Sequence, residues 1–233
     1  MLYQMISIRS ILFSCIVLSF FSSCDTNSKL WPKLNKEQLI AETCAAFEND
    51  VSDDPDSIKL VRIFNQFLSP HLKNISQDSA NELSTFLYIR LQKDCLEFKE
   101  LTDRLNPGNN KGDWKDVDKE PESEISKADY DAFFENKHFK YLESTGDTTL
   151  VTIKGNIWEE QFADGSYSRL TLNKTEKGMF SLSFIASNNI SRKNLSNPGD
   201  KYWYKIIKKE TNYYSMFAYP DGAKIKWLFK LYY

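Results

Sequence analysis

One stretch, Asp147 to Asn173 (DTTLVTIKGNIWEEQFADGSYSRLTLN), leaves little freedom in what this chain can fold into. Gly155-Asn156 and Asp164-Gly165 supply the positive φ angles that tight hairpin loops need, and the runs beside them are rich in Thr, Val, Ile, Trp, Phe and Tyr. The pattern reads strand, turn, strand, turn, strand, with almost no residue to spare: the middle of an antiparallel meander. The same grammar continues to the C-terminus. Alternation and turn signals predict eight strands, at about 138–143, 148–154, 156–163, 166–173, 179–186, 201–208, 212–219 and 223–232. Asp221-Gly222 is a further tight turn, and 188–199 is one long loop. Eight short strands joined in order within 100 residues predict an up-and-down barrel.

Period two sorts the faces of these strands. Trp158 and Phe162, Leu170 and Leu172, Phe180, Leu182 and Phe184, Tyr202, Tyr204 and Ile206, and Ile225, Trp227 and Phe229 are expected to point inward. Lys205, Lys224, Lys226 and Lys230 then face water. Glu160 falls between Trp158 and Phe162 on the inward face, where a carboxylate has a raised pKa or a partner. Either it meets the polar end of a ligand, with Tyr202 and Tyr204 as hydroxyl donors, or it sits hydrated or lysine-paired at the barrel mouth. The interior faces the same choice, because eight strands enclose a space that side chains alone can fill. The candidate ligand-binding residues are therefore Trp158, Glu160, Phe162, Tyr202, Tyr204 and Trp227.

Before the barrel, residues 36–105 read as three helices. The first spans about 36–50 and carries the stripe Ile40, Cys44, Phe47, Val51. The second opens with Asp54 as cap and Pro55 in its first turn, shows Ile58, Val61, Phe64 and Leu68 on one face, and stops at Pro70. The third runs from Gln77 to Leu105 with Leu83, Leu87, Leu91, Cys95 and Phe98 at helical spacing. The cluster Asp50, Asp53, Asp54, Asp56 lacks the glycine and distal glutamate of a calcium loop, and reads as capping and dipole compensation. Residues 106–128 are dense in Asn, Gly, Lys, Asp and Glu and read as an exposed linker. Ala128 to Asn136 then forms a short amphipathic turn whose Tyr130, Phe133 and Phe134 can plug one end of the sheet.

Residues 1–23 have the form of a signal peptide: Arg9 in a short positive region, an apolar run from Ile11 to Phe21, then Ser22-Ser23-Cys24. Eleven apolar residues are too few to span a bilayer. Phe21-Ser22-Ser23-Cys24 resembles the lipobox of bacterial lipoproteins, which implies that Cys24 is acylated and becomes the mature N-terminus. The alternative is an ordinary secretory signal. Polar residues 24–35 suit a tether. Cys44 and Cys95 are then the two thiols left in a compartment where disulfides persist. Each lies on an apolar helical face, and a bridge closing 51 residues stabilises a fold by about 4 kcal/mol in the chain-entropy model. The rivals are two free thiols or a metal site, and the chain's two histidines, His71 and His138, make metal improbable.

The run from about Phe134 to Leu231 resembles the uncharacterised lipocalin-like domains of bacterial lipoproteins. The residues that carry the resemblance are Phe139 and Tyr141, the TLVTIK strand, Glu160 before Asp164-Gly165, FSLSFIASNN, Gly199-Asp200 before YWYKII, and the final hairpin. It implies a small barrel on a lipid anchor and brings no catalytic residues. The fold expected is α+β: a three-helix segment, a linker, and from residue 129 an eight-stranded antiparallel lipocalin-like barrel. A net charge of −2 argues against a nucleic-acid partner. No Gly-x-Ser-x-Gly elbow, phosphate loop or His-Glu-x-x-His is present, so the chain reads as non-enzymatic, with no cofactor and no metal. Two functions remain. One is an envelope protein anchored to a bacterial membrane that binds a small apolar or amphipathic ligand; the other is a filled barrel serving as a scaffold or immunity factor for an envelope protein.

Overall fold

The structure, a computed structural model, describes residues 34–73, 75–107, 112–175 and 178–233. Cys24, the signal and the first ten tether residues lie outside them. Among the described residues no helix is long and apolar enough to cross a membrane. The chain divides at Gly108 into a helical unit and a β unit.

The helical unit holds α1 (Lys36–Glu48), α2 (Asp56–Phe67), the single turn α3 (Ser69–Leu72), α4 (Gln77–Asp94) and α5 (Leu96–Leu105). Side-chain caps start two of them. Asn35 Oδ1 accepts from the Gln38 amide at 3.1 Å and Ser76 Oγ from the Ser79 amide at 3.2 Å, each satisfying an orphan donor of a first turn. Cys44 and Cys95 form a disulfide with Cα atoms 5.5 Å apart, inside the range that disulfide geometry needs. Rings complete the core around it: Phe98 lies 5.2 Å from Phe47 and 5.7 Å from Phe64.

Three expectations fail here. The single helix from Gln77 to Leu105 is two, because Cys95 is extended (φ −133°, ψ 107°). That break turns α5 back on α4, where Gln92 Nε2 donates to Thr102 Oγ1 at 2.8 Å, and no Pro or Gly marks it. Val51, Ile58 and Val61 are exposed and Ile63 is buried, although Leu68 is buried and Phe64 packs on Phe98 as expected. The acidic cluster accounts for this rotation of α2. Arg62 reaches Asp50 at 2.7 Å and Asp54 at 2.9 Å, and Lys59 reaches Asp50 at 2.9 Å. Asp50 and Asp54 therefore act through ion pairs, and Asp56 stands in the first turn of α2 as dipole compensation expects; Asp54 is no cap, since Pro55 occupies that position without a side-chain bond. Lys59, and then Arg62, hold Asp50 well below the usual carboxylate range.

In the β unit, α6 (Lys127–Glu135) precedes β2 (His138–Leu142), β3 (Thr148–Lys154), β4 (Ile157–Gln161), β5 (Tyr167–Lys174), β6 (Met179–Ser187), β7 (Lys201–Lys209), β8 (Tyr213–Pro220) and β9 (Trp227–Tyr232). These eight pair antiparallel in sequence order, and β9 also pairs with β2, closing the barrel. The glycines read as turns adopt positive φ, Gly155 at 63° and Gly165 at 79°. Period two holds along β3, where Thr149, Val151 and Ile153 are buried and their neighbours are not. The final strand is shorter than expected. Ile225 is buried but precedes β9 and stands outside the barrel core.

Both ends are covered. At the end where β2 begins, α6 inserts Phe133 and Phe134 against Phe139, Phe180 and Tyr214. At the other, between β6 and β7, the expected loop contains a six-residue helix, α7 (Ile190–Leu195). Rings run through the interior: Trp158 to Phe180 at 6.0 Å, Phe180 to Tyr204 at 5.2 Å, Tyr204 to Phe229 at 6.2 Å.

Residues 112–126, expected to form an exposed linker, instead lie along the barrel as a strap. β2 and β9 meet at one residue pair, Lys140 and Tyr232. The strap fills the rest of that seam: β1 (Lys115–Asp116) pairs with Leu228 and Trp227, and the Val117 amide donates to the Lys226 carbonyl at 3.1 Å. Trp114 stacks on Phe229 at 4.2 Å and donates from Nε1 to the Leu142 carbonyl at 2.9 Å. Asp113 takes Lys230 and Tyr232, and Ser123 donates to the Ile206 carbonyl. Composition hid this because polar side chains do the joining. Gly112 is needed for close approach, since a Cβ there would stand 2.4 Å from the Glu143 carbonyl oxygen. Trp114→Ala should therefore lower the unfolding free energy by about 3 kcal/mol, and Gly112→Ala should also destabilise. Lys119→Ala, exposed on the same strap, should stay within about 0.5 kcal/mol of the parent. Urea denaturation measures all three, and equal midpoints for Trp114→Ala and Lys119→Ala would remove the strap's structural role.

Candidate functional site

At the barrel end beneath α7, β2, β4 and the β6–β7 connection bring charge together. Glu160, on the inward face of β4, is 8% exposed. Its Oε1 accepts from the Tyr141 hydroxyl at 3.1 Å and from Trp158 Nε1 at 3.4 Å. Its Oε2 lies 3.9 Å from Arg192 Nε, an ion pair longer than a hydrogen bond. Arg192 Nη2 donates to Glu143 Oε1 at 2.7 Å and to the Tyr141 hydroxyl at 3.1 Å. Thr149 Oγ1 donates to the same Glu143 oxygen at 2.8 Å, and the guanidinium carbon stands 5.1 Å from the Phe162 ring centre. Two carboxylates and one guanidinium thus share an apolar mouth.

Local chemistry places Arg192 there. Asn189 Oδ1 caps α7 by accepting from the Arg192 amide at 3.1 Å, while its Nδ2 donates to Ser166 Oγ at 2.8 Å. Asn188 Oδ1 accepts from the Tyr167 amide at 2.7 Å. These Asn bonds tie the connection to the start of β5. Gly199 closes it with φ 94°, a left-handed turn that costs other residues free energy.

The expected residues are distributed unevenly about this cluster. Trp158 and Glu160 are in it, and Phe162, just past β4, forms its ring wall. Tyr204 is half-buried, with its hydroxyl in the electrostatic reach of Glu160 and Arg192. The Tyr202 hydroxyl, an expected donor to a ligand, pairs with Ser196 Oγ, and the hydroxyl that donates to Glu160 is that of Tyr141. Trp227 is half-buried and its Nε1 is buried with no hydrogen-bond partner among the described residues. Sequence reasoning missed Glu143 and Arg192. Glu143 shares the parity of Tyr141 and could have been read from it, whereas nothing in a loop rich in Asn and Ser orients Arg192.

Burial pushes the Glu160 carboxyl up, with Arg192 opposing and Glu143 reinforcing. Burial, then Glu143 and Glu160, raise the Tyr141 hydroxyl well above its ordinary value, so it stays a donor. Arg192 is held charged because Glu143, Tyr141 and Glu160 outweigh the burial that opposes its charge. The arrangement can hold a cation and take up a proton at Glu160. Among the described residues Cys44, Cys95 and Glu97 come within metal-holding distance, but the disulfide uses both sulfurs. Comparisons with protein-family models, curated proteins and solved structures find no match for the chain.

The sign of the pH dependence follows from Glu160. A carboxyl whose folded pKa is raised binds its proton more tightly when folded, so its contribution is fully present below the unfolded value and is lost as pH rises through the folded one. Glu160→Gln removes that loss. The variant should melt at or above the parent temperature at pH 7, and the gap should widen as pH rises from about 4.5, the unfolded value. Thermal melts across pH 4 to pH 8, about the range such shifts span, test this; parallel curves for the two proteins would contradict it.

Proposed function

We propose that the chain is a non-enzymatic, lipid-anchored cell-envelope protein whose barrel binds a small amphipathic ligand at the mouth covered by α7. The anchor reading rests on Phe21-Ser22-Ser23-Cys24 and its resemblance to a lipobox. The observation that carries the ligand reading is the Glu160 carboxylate, which is buried among rings with one oxygen fully bonded and the other short of a hydrogen-bond donor. Desolvating charge costs several kcal/mol per ion, and burying an ion pair is a poor route to stability alone. Convergent polar groups in an aromatic-walled mouth are the usual composition of a ligand site. The lipocalin-like resemblance agrees with such a role without establishing it.

A second reading, the partner-binding scaffold or immunity-type protein, is favoured by the filled interior. Phe180, Leu182, Met216 and Leu231 are fully buried, and Val51, Ile58 and Val61 are exposed on the helical unit.

Cys24→Ser in the full chain should release the protein from membranes. Native mass spectrometry of the released protein should then show one small molecule retained per chain, or a saturable tryptophan fluorescence change with short-chain amphiphiles. Release failing overturns the anchor. No amphiphile response, together with a co-purifying protein of the envelope, overturns the ligand reading in favour of the scaffold.

A further inference from the structure

The mouth already contains a bound cation of its own making. The Arg192 guanidinium touches Glu143 and Tyr141, stands 3.9 Å from Glu160 and faces the Phe162 ring. Beyond it lie Trp158 and Tyr204, whose ring centres are 6.4 Å apart. Resting on the ligand reading above, we propose that the mouth recognises a cationic amphiphile, an alkylammonium or alkylguanidinium head with an apolar chain. Arg192 is the resident occupant of the head-group site and leaves it with α7 when the ligand enters.

Three observations carry this. The charges are unequal: two carboxylates face one guanidinium, and Glu160 Oε2 accepts no hydrogen bond among the described residues. A cation that takes the place of Arg192 meets both carboxylates, whereas an anion would be repelled by them. The walls suit the same sign, because ring faces attract cations and Phe162 already holds one. The cover buries little apolar surface. α7 has no buried residue and Ile190 is exposed to 62%, while polar contacts of Asn188, Asn189, Arg192 and Ser196 hold the connection in place. Such a segment gives up few apolar contacts on opening, and the Arg192 ion pairs it breaks are remade by the incoming cation. Once it moves, Trp158, Tyr204 and Trp227 offer the chain of a ligand an apolar wall.

Short-chain probes that form no micelles test the assignment on the full chain. Arg192→Ala vacates the head-group site, so calorimetric titration should show n-butylguanidinium binding it roughly tenfold or more tightly than the parent protein. Glu160→Gln added to Arg192→Ala should remove most of that gain, and butylsulfonate should bind neither protein. If butylsulfonate binds in place of the cation, the charge assignment is overturned while the ligand reading stands. If neither probe binds either protein, both fall. If Arg192→Ala does not fold unaided, refolding yield in millimolar n-butylguanidinium against butylsulfonate replaces the titration. Recovery with the cation alone supports the assignment, and equal failure in both overturns it.

Discussion

The barrel depends on a seam. An eight-stranded sheet closes only if its first and last strands meet, and here β2 and β9 share one residue pair, Lys140 and Tyr232. The rest of the β9 edge would carry unpaired amides and carbonyls, which is costly when buried and hazardous when exposed. The strap from Gly112 to Val117 supplies the missing partners through β1 and adds Trp114, which lies flat on Phe229 and edge-on to Tyr141. The same side chain bonds the Leu142 carbonyl, and Gly112 sits beneath the Glu143 carbonyl. Seam and mouth are therefore one construction: what closes the barrel also fixes the backbone that presents Glu143 and Tyr141 to Arg192.

The mouth runs against the energetics of the rest. From α6 upward the barrel core is rings and aliphatic chains at or near zero exposure, as expected of a packed interior. Glu160 and Arg192 interrupt it. Removing Arg192 would leave Glu143 and Glu160 without their shared cation, a change that costs far more than the pair contributes when intact. Local rules are broken this way at functional sites, and the surrounding regularity compensates. That contrast, rather than any one distance, is why the mouth is read as the working end.

Much of the barrel was legible because strand and turn signals are local. Asn and Gly at the turns, period two between them and the short connections determined strand order and most inward faces. What was hidden is what depends on tertiary partners. The break at Cys95 has no breaker residue and accompanies a bridge to a residue 51 positions away. The face of α2 turned because Arg62 and Lys59 are drawn to Asp50, outside that helix. The strap looked like a linker because its one large ring, Trp114, stands among polar residues, several of which bond to distant strands. At the site, Glu160 was found by an odd charge in an apolar alternation. Arg192 offered no such contrast, since one arginine in a polar loop is ordinary.

Amide hydrogen exchange of the strap tests the central claim most directly, because only structural strands resist exchange up to the global stability. The amides of Val117 and Glu124, which donate to the Lys226 and Ile207 carbonyls, should exchange as slowly as those joining β5 to β6. Exchange as fast as that of the exposed turn around Gly222 would contradict the account, because the seam would then be open in solution.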